Sequence, residues 1–252
     1  MTGPSVVIIT HNEEQNILRT LGSVKSFAGE IVVVDSHSTD RTAEICRESG
    51  CRVFLREFSG YGPQKQYAAE QAASDWIFWI DADEVATPEL QKEITALFAG
   101  PASPGAEAFR IPRSLSYMGR IMRHSGAGKE YLVRLFDRRH GQFNSAAVHE
   151  SVEVRGTTGT LNGELLHYSY RSLSHHLEKI NHYTTLAAED QVRKGKRYPR
   201  AWVALKFPVS FFTFYVLKGG ILDGYPGLVW SFLAAFYGAM KIAKTIEKTG
   251  RT

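Results

Sequence analysis

Long apolar runs are missing from this chain of 252 residues. A helix that crosses a bilayer needs about twenty predominantly apolar residues in a row. The two most apolar stretches fall short of that: residues 201–217 are broken by Lys206 and Pro208, and residues 227–240 give way to Lys241. Cysteine is nearly absent. Cys46 and Cys51 are the only two, with neither a zinc-site spacing nor a disulfide framework, which fits a reducing cytosol. No Gly-x-Gly-x-x-Gly or Gly-x-x-x-x-Gly-Lys-Ser/Thr loop follows an apolar strand, which disfavours a dinucleotide fingerprint and a phosphate-cradling loop. Repeats and low-complexity tracts are lacking too. No secretory leader is expected, since the N-terminus enters a strand almost at once.

What is present suits one catalytic domain with an extension. The hydrophobic fraction of 43% allows a sizeable core, and the net charge of +4 is compatible with anionic lipid or substrate. The most informative segment is Trp76-Ile-Phe-Trp-Ile80, a buried strand that runs straight into Asp81, Asp83 and Glu84. Clustered acids at a strand end are costly unless a cation sits among them. A divalent metal carrying a diphosphate meets that need, because Mg²⁺ takes one or two protein carboxylates and completes its shell with phosphate oxygens and water. The plainer reading is a solvated acidic turn ahead of a helix that starts near Pro88.

The first hundred residues alternate strand and helix. Ser5-Val-Val-Ile-Ile-Thr10 is a strand, and Ile17, Leu18, Leu21 and Val24 then recur at helical spacing. Glu30-Ile-Val-Val-Val-Asp35 is a second strand, and Asp40 is placed to cap a helix through Ser49. Arg52-Val-Phe-Leu-Arg56 is a third strand, and Pro63 opens a helix running to Ala73. This alternation predicts an α/β fold with a mostly parallel central sheet flanked by helices. Ligands on such sheets bind outside the carboxyl ends of the strands, which carry residues 10–14, 35–40 and 81–84, with the 60–66 segment along the same edge.

Ser-Val-Val-Ile-Ile-Thr-His-Asn-Glu-Glu, Ile-Val-Val-Val-Asp-Ser-His-Ser-Thr-Asp-Arg-Thr and the Asp-Ala-Asp-Glu strand end, in that order and spacing, resemble family 2 glycosyltransferases of the GT-A fold. Further segments are similar to lipopolysaccharide-core β-1,4-glucosyltransferases: residues 62–66, Arg134-Leu-Phe136, Val148-His-Glu150, residues 166–171 and Leu222-Asp-Gly-Tyr-Pro-Gly227. The resemblance implies a Rossmann-like GT-A domain over residues 1–170, with a nucleotide-sugar half (1–99) and an acceptor half (106–170), joined by the linker at 100–105. Residues 171–252 would form a helical extension. It implies that Thr10, Asn12, Glu14 and Asp35 contact the nucleoside and that Gln64 and Lys65 sit over uridine or pyrophosphate. Asp81 would reach the ribose or the metal, Asp83 would ligate Mg²⁺ or Mn²⁺, and His167 would be a further ligand. A packed structural histidine is the alternative for His167, and a solvated helix-start lysine for Lys65. The general base is assigned to Glu150, with His149 as second candidate, because the family's usual acidic pair is His-Glu here. One base and direct displacement imply inversion.

Residues 110–139 hold eight arginines and lysines against only Glu130 and Asp137. Arginine forks match phosphate geometry, so an anionic acceptor is one reading and a solvated basic face the other. Nucleic acid is not expected: no binding module is recognisable and aromatics are not interleaved with the charge. Gly126-Ala-Gly128 is a flexible loop able to fold over the donor. In the C-terminal third, bulky apolar faces with lysine flanks predict helices lying in a membrane interface, with packing on the catalytic domain or another subunit as the alternative. The sequence therefore predicts a glycosyltransferase using a UDP-hexose, with glucose expected, on a lipopolysaccharide-core acceptor at the inner face of the cytoplasmic membrane. A polyprenyl-phosphate or other surface-glycan acceptor is the second reading, and a catalytically silent nucleotide-sugar-binding scaffold the third.

Overall fold

A computed structural model describes residues 3–100, 104–144 and 151–250. The chain divides into two compact units, Met1–Arg113 with Glu130–His167, and Ser114–Lys129 with Tyr168–Thr252. Residues 114–129 thus belong with the C-terminal helices, although they fall inside the first of the two expected domains.

The first unit begins with β1 (Ser5–Thr10), α1 (Ile17–Val24), β2 (Glu30–Asp35), α2 (Thr42–Glu48), β3 (Arg52–Leu55), α3 (Tyr61–Glu70), β4 (Trp76–Trp79), β5 (Glu84–Ala86) and α4 (Pro88–Leu97). β6 (Ala108–Tyr117) starts in this unit and ends in the other, where its last residues pair with β7 (Arg120–Ile121). β8 (Glu130–Asp137), β9 (Gly141–Phe143), β10 (Val152–Val154), β11 (Thr158–Thr160) and β12 (Leu165–His167) complete the first unit. The sheet order is β3-β2-β1-β4-β8-β6-β12-β5. From β3 to β4 the pairing is parallel; β8 is antiparallel to both β4 and β6, and β12 to β5.

The parallel part follows from its residues. Side chains alternate across a strand, and here both faces are covered. Val6, Ile8, Val33 and Phe78 pack on one face with Ile17, Leu21 and Val24 of α1 and Leu90 and Ile94 of α4. Val7, Val32, Val34, Ile77 and Trp79 pack on the other with Ala68 and Ala69 of α3. Strands buried on two faces read as continuous apolar runs. α3 starts at Tyr61, two residues before Pro63, because the first helical N–H groups have no intrahelical partner and proline loses nothing there. α2 starts at Thr42, but Asp40 still serves that end, since its carboxylate accepts from Thr42 N at 3.0 Å.

The second unit is built on α5 (Leu173–Arg193), α6 (Ala201–Phe212) and α7 (Gly224–Lys248). The Ser172 side chain caps α5 by accepting from His175 N. α6 continues through Pro208 and passes into a π-helical turn, Thr213–Leu217. The proline removes one hydrogen bond without ending the helix. Residues Gly220–Lys248 form a stretch of 29 residues that is long and apolar enough to cross a membrane by length and composition, whereas the sequence suggested only short broken runs. The same stretch is also a packed helix: Leu233, Ala235, Ala239 and Ile242 are buried, Lys244 Nζ donates to Asn181 O at 2.7 Å, and Lys248 pairs with Glu189 at 3.0 Å. Two of the lysines expected to flank a membrane helix are therefore engaged by α5.

His176 on α5 shares a 2.9 Å hydrogen bond with the Tyr117 hydroxyl. Burial, with Lys179 and His175 nearby, pushes its pKa from 6.5 down to about 4. The unfolded chain takes up this proton near pH 6.5 and the folded chain does not. Stability is therefore lost as pH falls from about 6.5 towards about 4, by up to about 3 kcal/mol. Urea unfolding at pH 7.5 and 4.5 is expected to show a smaller acid loss in His176→Gln than in the parent.

Candidate active site

Parallel pairing sets Thr10 opposite Asp35 at the ends of β1 and β2. The loops beyond them are tied together. The Asp35 carboxylate, fully buried, accepts from Ser38 N at 2.8 Å and from the Ser38 hydroxyl. Asn12 N donates to Ser38 Oγ and Asn12 Oδ1 accepts from Thr39 N, both at 2.8 Å. Glu14 Oε2 accepts from Arg41 N at 3.1 Å, and Glu14 N donates to Asp40 at 3.2 Å. Asn12 and His37 hold φ of 56° and 58°, a region that non-glycine residues seldom occupy and that clusters at functional sites. All four expected nucleoside contacts meet here, and Asn12 and Glu14 also brace one loop on the other.

Glu84 organises the next strand end. It is fully buried; Oε2 accepts from Asp81 N at 3.1 Å, and Oε1 accepts from Arg134 Nη2 at 2.6 Å and Arg113 Nη1 at 3.3 Å. Arg134 is buried as well and stacks with its guanidinium carbon 3.5 Å from the Trp79 ring centroid. Lys65 Nζ lies 4.0 Å from the same ring and 3.0 Å from Asp81 Oδ1. Lys65 is only 4% exposed, so it is no solvated helix-start lysine. Burial alone would raise the pKa of Asp81, but Lys65 and Arg134 outweigh it and hold the carboxyl well below the usual carboxylate range.

Asp83 points elsewhere. Register pairs His167 with Glu84, the residue after Asp83, and His167 Nε2 lies 3.2 Å from Asp83 Oδ2. Burial lowers the imidazole pKa, but Asp83 more than reverses this and raises it. Among the described residues no group of three or more His, Cys, Asp or Glu side chains is arranged to hold a metal. The converging pair Asp83 and His167 still fits a divalent ion of the Mg²⁺ or Mn²⁺ kind, which takes few protein ligands and completes its shell with diphosphate and water. Asp81, expected as a metal contact, is occupied by Lys65 and Arg134 in this structure.

Several buried polar atoms around these strand ends and the first turn of α3 have no hydrogen-bond partner among the described residues: Thr10 Oγ1, Gln64 Oε1, and Arg134 Nε and Nη1. Gln64 is anchored through its amide nitrogen, which donates to Ser36 Oγ and Arg56 O at 3.2 Å. An unpaired buried polar atom costs about 1–3 kcal/mol, and their concentration here suits a polar ligand. Val148, His149 and Glu150 lie outside the described residues, so the expected base has no described geometry. Glu84, Arg113, Arg134 and Trp79 were not singled out as site residues; the acid directly after Asp-Ala-Asp and the arginine of Arg134-Leu-Phe136 were the available signals. Much of the expected basic face is spent internally. Arg138 donates to Ala69 O and Ala72 O, and Arg139 pairs with Asp137 and Asp75.

The family model named Glycosyl transferase family 2 matches residues 5–148. The chain belongs to that family. An uncharacterized glycosyltransferase of Rickettsia typhi is 31% identical over 96% of this chain and 86% of its own length. The lipopolysaccharide core biosynthesis glycosyltransferase LpsC of Rhizobium meliloti is 32% identical over 97% and 92%. Among solved structures, residues 1–349 of S. aureus TarS with UDP-GlcNAc overlay at a TM-score of 0.47 and 15% identity, over 99% of this chain and 91% of that one. The family's architecture here is of GT-A type: a parallel first half, an antiparallel continuation and C-terminal helices.

Replacing one member of a buried ion pair leaves the other charge uncompensated. Arg134→Met is expected to lower stability by about 3–5 kcal/mol, and Arg134→Met with Glu84→Leu by distinctly less, both read by urea unfolding.

Proposed function

We propose that this family 2 glycosyltransferase transfers a hexose, glucose from UDP-glucose, to a lipopolysaccharide inner-core acceptor with inversion at the anomeric carbon. The observation that carries the reading is the set of orphaned buried atoms at the carboxyl ends of β1 and β4 and at the start of α3, beside a carboxylate–imidazole pair. The likeness to LpsC over nearly the whole chain supports the acceptor class. Asp35 reads the base edge, Thr10, Asn12 and Glu14 hold the nucleoside, and Gln64 and Lys65 face the pyrophosphate. Asp83 and His167 hold a divalent ion, with Asp81 reaching the ribose or the ion's water shell. When bound, that ion offsets the charge of the departing diphosphate.

Glu150 takes the proton of the acceptor hydroxyl, with His149 as the alternative base. The hydroxyl oxygen bonds to the anomeric carbon while the bond to the UDP oxygen breaks, and UDP leaves with that electron pair. The second unit attaches the enzyme to the inner face of the cytoplasmic membrane. Leu205, Val209, Phe212, Leu217, Leu222 and Tyr225 are 53–70% exposed, and large exposed apolar patches mark interaction sites.

Two tests follow. Incubation with UDP-glucose and truncated core oligosaccharides is expected to yield a β-linked product. Glu150→Gln should lower kcat at least a hundredfold with donor affinity nearly unchanged; robust turnover would place the base elsewhere. Co-sedimentation with phosphatidylglycerol vesicles is expected for the parent and should fall at least tenfold in Leu217→Asp/Leu222→Asp. A parent protein that ignores such vesicles would refute the membrane attachment.

A further inference from the structure

The second unit contains a cavity whose lining includes none of the residues proposed above for sugar transfer. It measures about 240 Å³ and is lined by residues from α5, the π-helical turn and α7, together with Tyr170. That is room for roughly eight waters at ~30 Å³ each, below the ~300–1,000 Å³ common for drug-sized ligands. A nucleotide sugar does not fit; a single chain does. Its wall is preformed from aromatic rings. Tyr170 stacks 3.9 Å from His176 and meets Trp230 edge-on at 5.8 Å, while Tyr117 packs edge-on against all three. Phe214, Leu233, Ala234 and Tyr237 add further apolar surface.

The polar content is small and of one sign. Lys179 lines the cavity, its Nζ held by Ser169 O at 2.9 Å and 5.3 Å from the Tyr170 ring centroid. No Asp or Glu among the described residues pairs with it. His176 stays uncharged at neutral pH because burial keeps its pKa near 4. The lining thus presents a hydrocarbon-sized hollow with one cation and no compensating acid. Phe214 belongs to the same turn as Val216 and Leu217, which are 47% and 70% exposed, and Tyr183, another lining residue, is 49% exposed. The cavity therefore adjoins, along the chain, the apolar strip assigned above to the bilayer.

We infer that this cavity binds one hydrocarbon chain of an anionic lipid, with Lys179 pairing the headgroup. Only the origin of the ligand, the bilayer, rests on the membrane reading; the site itself does not. A monomeric probe separates the two. Trp202→Phe leaves Trp230 as the one tryptophan outside the first unit, and Trp230 lies in the wall. Its fluorescence is expected to be quenched saturably by 11-bromoundecanoate below its micelle concentration. Apparent affinity should fall at least fivefold for neutral 11-bromoundecanol and for Lys179→Gln. Ala234→Phe, which fills the hollow, should abolish quenching while vesicle co-sedimentation persists. If Ala234→Phe does not fold, the alcohol and Lys179→Gln comparisons decide. No saturable quenching by the monomer, or equal affinity for acid and alcohol, overturns the inference even where vesicles still bind. Quenching by the monomer with no vesicle binding leaves the site standing and removes the bilayer as its source.

Discussion

The carboxyl end of β4 depends on one buried ion pair. Glu84 and Arg134 lie fully out of solvent, 2.6 Å apart. Each would cost several kcal/mol to bury alone. Together they fix the turn that carries both aspartates, because Glu84 also accepts the backbone N–H of Asp81. Trp79 supplies the floor against which Arg134 and Lys65 both lie. The consequence is a division of labour between neighbouring acids. Asp81 is kept ionised by lysine and arginine, while Asp83 is left with an imidazole and suits a metal-borne diphosphate.

This arrangement supports the proposed donor site in a chain without a glycine-rich phosphate loop. Strand ends and side chains from the first turn of α3, rather than a glycine-rich loop, present the polar groups. The loops after β1 and β2 are locked by reciprocal side-chain-to-backbone hydrogen bonds, and two non-glycine residues accept left-handed backbone to achieve it. Polar atoms on Thr10, Gln64 and Arg134 that have no partner among the described residues stand beside these loops on regular elements of the fold. Preorganisation of this kind lowers the ordering cost of binding.

The parallel half was legible in the sequence because β1, β2 and β4 are buried on both faces and so read as unbroken apolar runs. Register then brings Thr10 to Asp35 without further information. Less legible was everything set by antiparallel pairing. Arg134 reaches Glu84 across 50 residues of sequence, and its charge alone resembled part of a basic face. His167 meets Asp83 because β12 returns beside β5, a meeting that the family resemblance implied but residue spacing did not. The helical unit was the hardest to read: Lys206 and Pro208 suggested a broken run, yet backbone hydrogen bonding carries α6 past the proline. Lys244 and Lys248 suggested lipid contact, yet both reach α5. Local sequence does not reveal which neighbour a lysine will find.

The central claim is that Asp83 and His167 hold a divalent ion together with the donor diphosphate. Electron paramagnetic resonance of Mn²⁺ tests it most directly, because the sharp signal of the free ion is lost on binding. Added protein should remove that signal strongly when UDP is present, and Asp83→Asn or His167→Gln should leave most of it. Equal signal loss in the parent and both variants would contradict the account.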